Sequence, residues 1–233
     1  MGFSPSQSFF ALNRCESRTS ALSPMNRLVC IVEGHGEVEA MPNLCSRIVE
    51  LLEAWDWFVD PNPIRQPKGR LVDHCHNESQ GLGNKEGIQK AMALARARPA
   101  DAVLVICDSD DDCAARWGPS ATSIVGSILL GTAVMIEREY ETWLLLGLDP
   151  RELECAGIKN PNRKRDAKGA LRAVRGSYKP STDQLRMTRE MDIARVWSCS
   201  DSFDKLVRSL ALVFGVVAPD RPSVEDAKQI HVD

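Results

Sequence analysis

The sequence predicts an α/β fold: a mainly parallel, Rossmann-like sheet with flanking helices and a helical extension toward the C-terminus. Two uninterrupted apolar runs, residues 28–32 and 102–106, are typical of strands that are buried on both faces, as in parallel sheets. Carboxylates follow both runs, and a segment with helical periodicity follows the first and precedes the second. Because ligands of such sheets bind at the carboxyl ends of the strands, we expect a functional site there.

The composition is that of a globular enzyme domain. The chain has 233 residues, enough for one sizeable α/β core, and its net charge of −3 means that any contact with nucleic acid needs a local basic patch. The eight cysteines do not predict a disulfide scaffold at this length, and no apolar run approaches a membrane span. We therefore expect a cytoplasmic protein that does not contact a membrane. We divide it into a disordered extension (residues 1–24), a catalytic core (25–150), a helical extension with a basic patch (151–215) and a tail (216–233).

The first strand, residues 28–32, leads into a turn bracketed by glycines. Glu33 closes the strand, and Gly34 and Gly36 let the backbone approach a ligand closely. A helix is predicted from near Glu37 to Leu52, because apolar residues recur there at helical spacing. Glu33 and Glu37 are four residues apart across this turn, so both can face one ion. A first-turn glutamate favoured by the helix dipole is the alternative for Glu37.

The next segment predicts a short strand at residues 55–59, three chain-breaking prolines between residues 61 and 67, and a helix of strong helix formers at residues 87–97. The loop between them lies near the predicted site and offers Lys68, Arg70 and Lys85 to phosphates. Residues 73–76, Asp-His-Cys-His, do not predict zinc. Adjacent ligands fit one tetrahedral site poorly, and no second Cys/His pair stands at finger spacing.

The central strand, residues 102–106, runs into four aspartates within residues 108–112. Asp108 and Asp110 are two residues apart at an extended chain end, so their carboxylates point the same way and repel each other unless a cation neutralises both. Hard divalent ions with oxygen ligands, Mg²⁺ first, do this, and Asp112 adds a further carboxylate. An acidic, solvated turn after a strand is the alternative.

A helix is predicted to begin at Pro119 and to end at Gly131, followed by a strand at residues 132–136. Three glutamates come next, namely Glu137, Glu139 and Glu141. The residue at which the following helix begins decides which of them matter, because Glu137 and Glu141 share a helical face and Glu139 does not. A charged helix start without further function is the alternative.

The last third of the chain carries a basic segment, residues 159–168, with five cations in ten residues. It is suited to phosphate contacts, and a solvated helix face is the alternative. The residues predicted to bind nucleic acid are Arg163, Lys164, Arg165, Lys168, Arg172 and Lys85. No aromatic residues are interleaved, so base-specific recognition is not indicated. Two closing helices are predicted at residues 182–194 and 200–214.

Two of these motifs together resemble the TOPRIM (topoisomerase–primase) signature. Glu33-Gly34-x-x-Glu37 follows one strand, and Asp108-x-Asp110 follows a later one. The resemblance covers residues 27–147 and is greatest to the nuclease-type branch of the overcoming-lysogenization-defect (OLD) proteins and to small stand-alone bacterial relatives. It continues more weakly through the last third. It implies a TOPRIM-like fold and a metal-dependent endonuclease that hydrolyses phosphodiester bonds.

The resemblance also implies roles for individual residues. The implied catalytic carboxylates are Glu33, Glu37, Asp108 and Asp110, with Lys164 and Lys168 as candidate cations at the scissile phosphate. The implied ligands of one or two Mg²⁺ or Mn²⁺ ions are Glu33, Glu37, Asp108, Asp110, Asp112, Glu139 and Glu141. A Glu-x-Glu-x-Trp-like pattern in the small relatives favours Glu139 and Glu141. In a two-ion arrangement, with ions roughly 3.5–4 Å apart, one ion activates water and the other stabilises the leaving oxygen.

Proteins similar to this one are often encoded beside an AAA- or ABC-type ATPase and act in defence against phage. The sequence contains no Gly-x-x-x-x-Gly-Lys-Ser/Thr motif, so we expect such an ATPase to act in trans. The expected substrate is DNA rather than RNA, and assembly into a homo-oligomer stays open. Two alternatives are a catalytically silent module that binds nucleic acid or an ATPase, and a topoisomerase- or primase-like TOPRIM enzyme. A topoisomerase needs a tyrosine nucleophile, and a primase needs further modules that the sequence does not display.

Overall fold

A parallel sheet forms the centre of the molecule. The computed structural model describes residues 25–74 and 81–225, so the predictions for residues 1–24, for His76 and for the end of the tail lie outside the described residues. The sheet has the strand order β2-β1-β6-β7, and β3 also pairs with β1. Its strands are β1 (Asn26–Val32), β2 (Trp57–Val59), β3 (Ile64–Arg65), β6 (Ala102–Asp108) and β7 (Leu130–Ile136). All pairs in it are parallel. The fold is therefore α/β and Rossmann-like, as predicted.

A small antiparallel pair and ten helices complete the described architecture. The pair consists of β4 (Val72–Asp73) and β5 (Leu82–Gly83). The helices before the last sheet strand are α1 (Glu37–Leu51), α2 (Lys68–Leu71), α3 (Lys85–Arg96) and α4 (Ala114–Gly126). Those after it are α5 (Tyr140–Leu146), α6 (Pro150–Cys155), α7 (Ala167–Arg175), α8 (Pro180–Glu190), α9 (Ile193–Cys199) and α10 (Asp201–Phe214), with one 3₁₀ turn at Pro161–Arg163.

The two faces of the sheet bury two separate apolar clusters. Alternate residues of a strand point to opposite faces, so Leu28 and Cys30 enter one cluster while Val29 and Ile31 enter the other. The second cluster is covered by α3 and α4. The first is covered by α1 and by the helices of the C-terminal extension, so that Phe203 of α10 belongs to the same cluster as Leu28. The core therefore continues without a break across the predicted boundary at residue 150.

Register brings the carboxyl ends of β1 and β6 to the same level. Leu28 pairs with Ala102 and Ile31 with Val105, so the residues that follow Val32 lie beside the end of β6. This alignment places the first glutamate motif next to the aspartate motif.

Several predicted boundaries were wrong, and each difference has a physical reason. The α4 helix begins at Ala114 rather than Pro119, because Trp117 is fully buried and its Nε1 donates a hydrogen bond to the Leu71 carbonyl at 3.0 Å, which anchors the first turns. The helix ends before Ser127, and Gly131 lies inside β7, where a Cβ atom would collide with the Val103 carbonyl.

Two further helix predictions were wrong in their limits. The α3 helix starts at Lys85, because the Asn84 side chain accepts a hydrogen bond from the Gly87 N–H at 2.9 Å and caps it. The helix predicted at residues 182–194 is divided into α8 and α9 because Met191 is extended and Asp192 caps α9 through the Arg195 N–H at 3.1 Å. Within the described residues, no helix is both long and apolar enough to cross a membrane.

Candidate functional site

Glu33 and Asp108 meet at the carboxyl ends of the neighbouring strands β1 and β6. The Asp108 backbone N–H donates a hydrogen bond to Glu33 Oε2 at 3.2 Å, and the Tyr140 N–H at the start of α5 donates to Asp108 Oδ1 at 2.9 Å. Both carboxylates are only partly exposed. The structure therefore brings together the two motifs that the sequence placed 75 residues apart.

Glu37 lies directly behind this pair, in the first turn of α1. Its Oε2 accepts hydrogen bonds from the N–H groups of Glu33 and Gly34 at 3.1 and 3.2 Å, and its side chain is 4 % exposed. Burial, reinforced by the Glu33 and Glu141 carboxylates, raises the pKa of Glu37 from 4.5 to about 7, although the two backbone N–H groups oppose the shift. The two N–H bonds also give Glu37 the role of holding the turn, which keeps the structural alternative open.

The glycines of this turn leave space that other protein groups occupy. A Cβ atom on Gly34 would lie 2.9 Å from Glu37 Oε1, and one on Gly36 would collide with the Gln184 side chain and lie 2.9 Å from the Pro180 carbonyl of α8. The sequence prediction assigned this space to a ligand. In the structure it is used by Glu37 and by the close packing of α8.

A surplus of negative charge collects around Asp108. Burial, together with Glu37, Glu141 and Glu33, raises the pKa of Asp108 well above its usual range. Burial also raises the pKa of Glu33, against the opposing effect of Lys68, and raises that of Glu141 against Lys168. Four carboxylates thus face one another with too little positive charge to match them, an arrangement typical of functional sites.

Lys168, from the helical extension, borders this cluster on one side. Its Nζ lies 2.9 Å from Glu139 Oε2 and 3.6 Å from Glu141 Oε2, and the Tyr178 hydroxyl donates to Glu141 Oε1 at 2.9 Å. The N–H groups of Ala167 and Lys168 also donate to Glu139 Oε1, which fixes the start of α7 against the glutamates. Although burial opposes it, the pKa of Lys168 is raised by Glu141 and Glu139, so the ammonium stays charged at neutral pH.

Lys68 borders the cluster on the other side. Its Nζ lies 2.5 Å from Asp110 Oδ2 and 3.3 Å from Asp112 Oδ2, and it donates to the Ser109 carbonyl at 3.1 Å. Asp112 also accepts from the Gly81 N–H at 3.0 Å, and its Oδ1 lies 2.7 Å from His74 Nε2. Although burial acts against it, these partners lower the pKa of Asp112. Asp110 and Asp112 therefore form a second acidic group, and both contact the single positive charge of Lys68.

The structure separates the other predicted cations. Lys164 is exposed and Lys85 begins α3, and no contact within residues 25–74 and 81–225 links either to the carboxylates. Arg165 lies 3.5 Å from Asp111, and Arg163 is exposed beside it, so the basic segment borders the aspartate loop. Arg172 lies elsewhere: its Nε donates to the Tyr178 carbonyl at 3.4 Å. Glu137 is exposed, because α5 begins only at Tyr140, which leaves Glu139 and Glu141 at the site.

Two residues of the site carried no clear signal in the sequence. Lys68 reaches the aspartates because β3 pairs with the end of β1, and a two-residue strand cannot be recognised from periodicity. Tyr178 lies 37 residues from Glu141 in the chain, and the sequence linked it only to the weaker TOPRIM likeness of the last third, without a role. The only hint for Lys68 was its place after the prolines, in a loop expected to reach phosphates.

The carboxylates of Glu33 and Asp108 fit the needs of a hard divalent ion. Within the described residues, hydrogen bonds engage Oε2 of Glu33 and Oδ1 of Asp108, which leaves one oxygen of each for a further ligand. Mg²⁺ keeps several waters and needs only one or two protein carboxylates. No group of three or more such side chains in the described part of the chain is arranged as a ready-made metal site. A cation there would offset the surplus charge that raises these pKa values.

A cleft of about 970 Å³ opens beside the aspartate loop, between α4, β7 and α10. Asp110 and Arg138 line its end nearest the site, and Lys205 and Leu212 line its α10 side. Glu33 and Asp108 are not among its lining residues. The cleft therefore adjoins the Asp110 side of the site and does not contain the Glu33–Asp108 pair.

No protein-family model, no curated protein and no solved structure matches this chain. The fold and the site alone therefore define its class: a Rossmann-like α/β protein with a carboxylate site at the ends of β1 and β6, bordered by two lysines.

Proposed function

We propose that this protein is a divalent-metal-dependent nuclease of the TOPRIM type that hydrolyses phosphodiester bonds in nucleic acid. One observation carries the proposal: the Asp108 N–H donates to the Glu33 carboxylate at 3.2 Å, so acidic motifs from two adjacent parallel strands share one site. Glu37 and Glu141 add to the negative charge there, which favours a cation. The order of the motifs along the chain agrees with the TOPRIM resemblance.

In this proposal Glu33 and Asp108 hold one ion. Glu139 and Glu141 already contact Lys168, and Glu37 accepts the two N–H groups of the turn. Mg²⁺ or Mn²⁺ bound there supplies Lewis-acid stabilisation of the phosphate and lowers the pKa of water. Hydrolysis forms a phosphorus–oxygen bond from water and breaks the bond to the leaving sugar oxygen. The proton that water loses is balanced by the proton that the leaving oxygen gains. Lys168 serves as a fixed positive charge rather than a base, because its raised pKa keeps it protonated.

The basic segment supports a nucleic-acid substrate. Arg163, Lys164 and Arg165 are exposed, and Arg165 reaches the aspartate loop at Asp111. Cations beside a carboxylate site attract the phosphates of a strand toward it, and such binding is expected to weaken steeply with salt. We propose DNA rather than RNA as the substrate, with phosphate contacts and no reading of bases.

The TOPRIM resemblance extends the proposal to partners. TOPRIM proteins of the kind that the sequence resembles act beside AAA- or ABC-type ATPases in defence against phage, and the sequence lacks a phosphate-binding loop of its own. We propose a role as the cytoplasmic effector subunit of such a system, with ATP hydrolysis supplied in trans.

The structure disfavours a topoisomerase mechanism. The chain has two tyrosines, Tyr140 and Tyr178, which are 0 % and 2 % exposed. The Tyr140 hydroxyl is hydrogen-bonded to Thr188 at 2.9 Å, and that of Tyr178 to Glu141. Burial raises the pKa of both, so neither is available as a nucleophile.

A plasmid-nicking assay tests the proposal. Purified protein is incubated with supercoiled DNA and Mg²⁺ or Mn²⁺, with EDTA as the blank, and with or without any AAA- or ABC-type ATPase that is encoded beside it. We expect nicking that Glu33→Gln abolishes. Glu137→Gln, an exposed glutamate of the same loop region, is the matched control and should cleave normally. If the protein binds DNA but does not cleave it under any of these conditions, the nuclease proposal is rejected in favour of the catalytically silent binding module.

A further inference from the structure

Lys68 occupies the aspartate side of the site, where Asp110 and Asp112 were predicted to bind a metal ion. Its ammonium contacts three oxygens, those of Asp110, Asp112 and the Ser109 carbonyl, at 2.5 to 3.3 Å. The Glu33 carboxylate also acts on it electrostatically. A single positive charge therefore already sits on the aspartate side of the site.

The sheet topology explains why Lys68 reaches this place. Ile64 and Arg65 of β3 pair with Ile31 and Val32 at the end of β1, so the chain that follows β3 emerges beside Glu33. After two intervening residues, α2 begins with Lys68. The pairing of β3 with the end of β1 therefore places Lys68 at the site.

The surroundings hold the ammonium in place. Asp112 is 6 % exposed at its side chain and is fixed by the Gly81 N–H and His74. The Leu71 carbonyl at the end of α2 accepts the hydrogen bond from the buried Trp117. The ammonium has three N–H groups and already contacts three oxygens, so a substrate phosphate gains its contact by displacing the exposed Asp110 carboxylate. Asp112 and the Ser109 carbonyl keep the ammonium preorganised meanwhile.

The charges of the site divide accordingly. Asp110 and Asp112 share the Lys68 ammonium, whereas no cation contacts Glu33 or Asp108 among the described residues. We therefore expect a divalent ion at Glu33 and Asp108, while the ammonium occupies the space between Asp110 and Asp112. A second ion between Asp110 and Asp112 would have to displace the ammonium.

Building on the proposed function, we infer that Lys68 replaces the second metal ion: the chain binds one divalent ion through Glu33 and Asp108, and the Lys68 ammonium contacts the substrate phosphate from the Asp110 side. Lys68 is then a phosphate-binding catalytic residue, and Asp112 with His74 positions it. The ligand class is a phosphodiester anion.

Counting bound Mn²⁺ tests this inference without relying on cleavage. Electron paramagnetic resonance of free Mn²⁺ and isothermal titration calorimetry give the stoichiometry for the wild type, Lys68→Met and Lys68→Arg. We expect one ion in the wild type and in Lys68→Arg, and two in Lys68→Met, which exposes the unmatched pair of aspartates. Circular dichroism checks that each variant is folded.

The outcomes separate this inference from the function on which it rests. Two ions in the wild type, or one ion in folded Lys68→Met, would overturn the role of Lys68 while leaving the nuclease intact. No Mn²⁺ binding by the wild type would overturn both. If the wild type nicks DNA, Lys68→Met should slow cleavage about 10²–10³-fold, the usual cost of a lost preorganised donor, and an unchanged rate would count against the inference.

Discussion

Glu37 makes the stability of the folded protein depend on pH. Its carboxyl group is 4 % exposed, and its pKa is raised from 4.5 to about 7 by burial and by the neighbouring carboxylates. Between these two values the folded state binds a proton that the unfolded state has lost. The free energy of unfolding therefore falls as pH rises from 4.5 to 7 and does not recover above it.

The size of this change in the free energy of unfolding follows from the difference between the folded and unfolded pKa values of Glu37. A difference of about 2.5 pKa units corresponds to about 3 kcal/mol at 25 °C, a large part of the stability of a domain. Solvent screens little of it, because the side chain is almost fully buried. Glu37→Gln removes the titrating group and keeps an oxygen that can accept the Gly34 N–H.

Urea unfolding in EDTA, in steps from about pH 5 to about pH 8, measures the difference between Glu37→Gln and the wild type. We expect the variant to gain about 3 kcal/mol relative to the wild type across this range. Glu39→Gln, which changes an exposed glutamate in the same helical turn, is the matched control. A difference between Glu37→Gln and the wild type that stays constant with pH would refute the electrostatic account of the site.

Three further predictions concern the same region. Asp108→Asn should abolish Mn²⁺ binding and cleavage. Its circular dichroism spectrum should stay native, because the change relieves repulsion between carboxylates. Calorimetry that shows wild-type affinity for Mn²⁺ would contradict the metal assignment. Lys168→Met leaves the buried Glu141 without its cation. Urea unfolding at neutral pH should therefore show that the free energy of unfolding falls by about 1–3 kcal/mol, and the loss should shrink in acid. A loss that does not change with pH would point to packing instead. Gly36→Ala should destabilise the fold by about 1–3 kcal/mol, because the added Cβ collides with α8. Gly126→Ala is the control, since a Cβ there meets no atom within 4 Å. Equal unfolding midpoints of the two variants would refute the collision.

The sheet and the acidic motifs could be predicted because they depend on local patterns. The runs at residues 28–32 and 102–106 have the continuous apolar character of strands that are covered on both faces. Parallel strands in register place their carboxyl ends together, so the meeting of Glu33 with Asp108 followed from the fold class. Glu139 and Glu141 were favoured over Glu137 by the resemblance, and the structure places them beside Lys168.

The cations of the site could not be ranked from the sequence, because their positions depend on tertiary contacts. Lys164 and Lys168 are four residues apart in one basic segment, and only the docking of α7 on Glu139 brings the second to the carboxylates. Lys68 depends on β3, a two-residue strand below the length at which periodicity is informative. Pro119 misled the prediction of α4 because a buried tryptophan two residues earlier outweighs the lost backbone hydrogen bond.

The continuous core across residue 150 has a practical consequence for anyone who wishes to shorten the protein. Leu171 and Phe203 pack in the same cluster as Leu28, on one face of the sheet. Removing everything after residue 150 would therefore uncover this face and expose apolar surface to water. Lys168 and Tyr178 would leave with it. A fragment made of the first 150 residues should therefore aggregate, because the same C-terminal helices complete the core and one side of the candidate site.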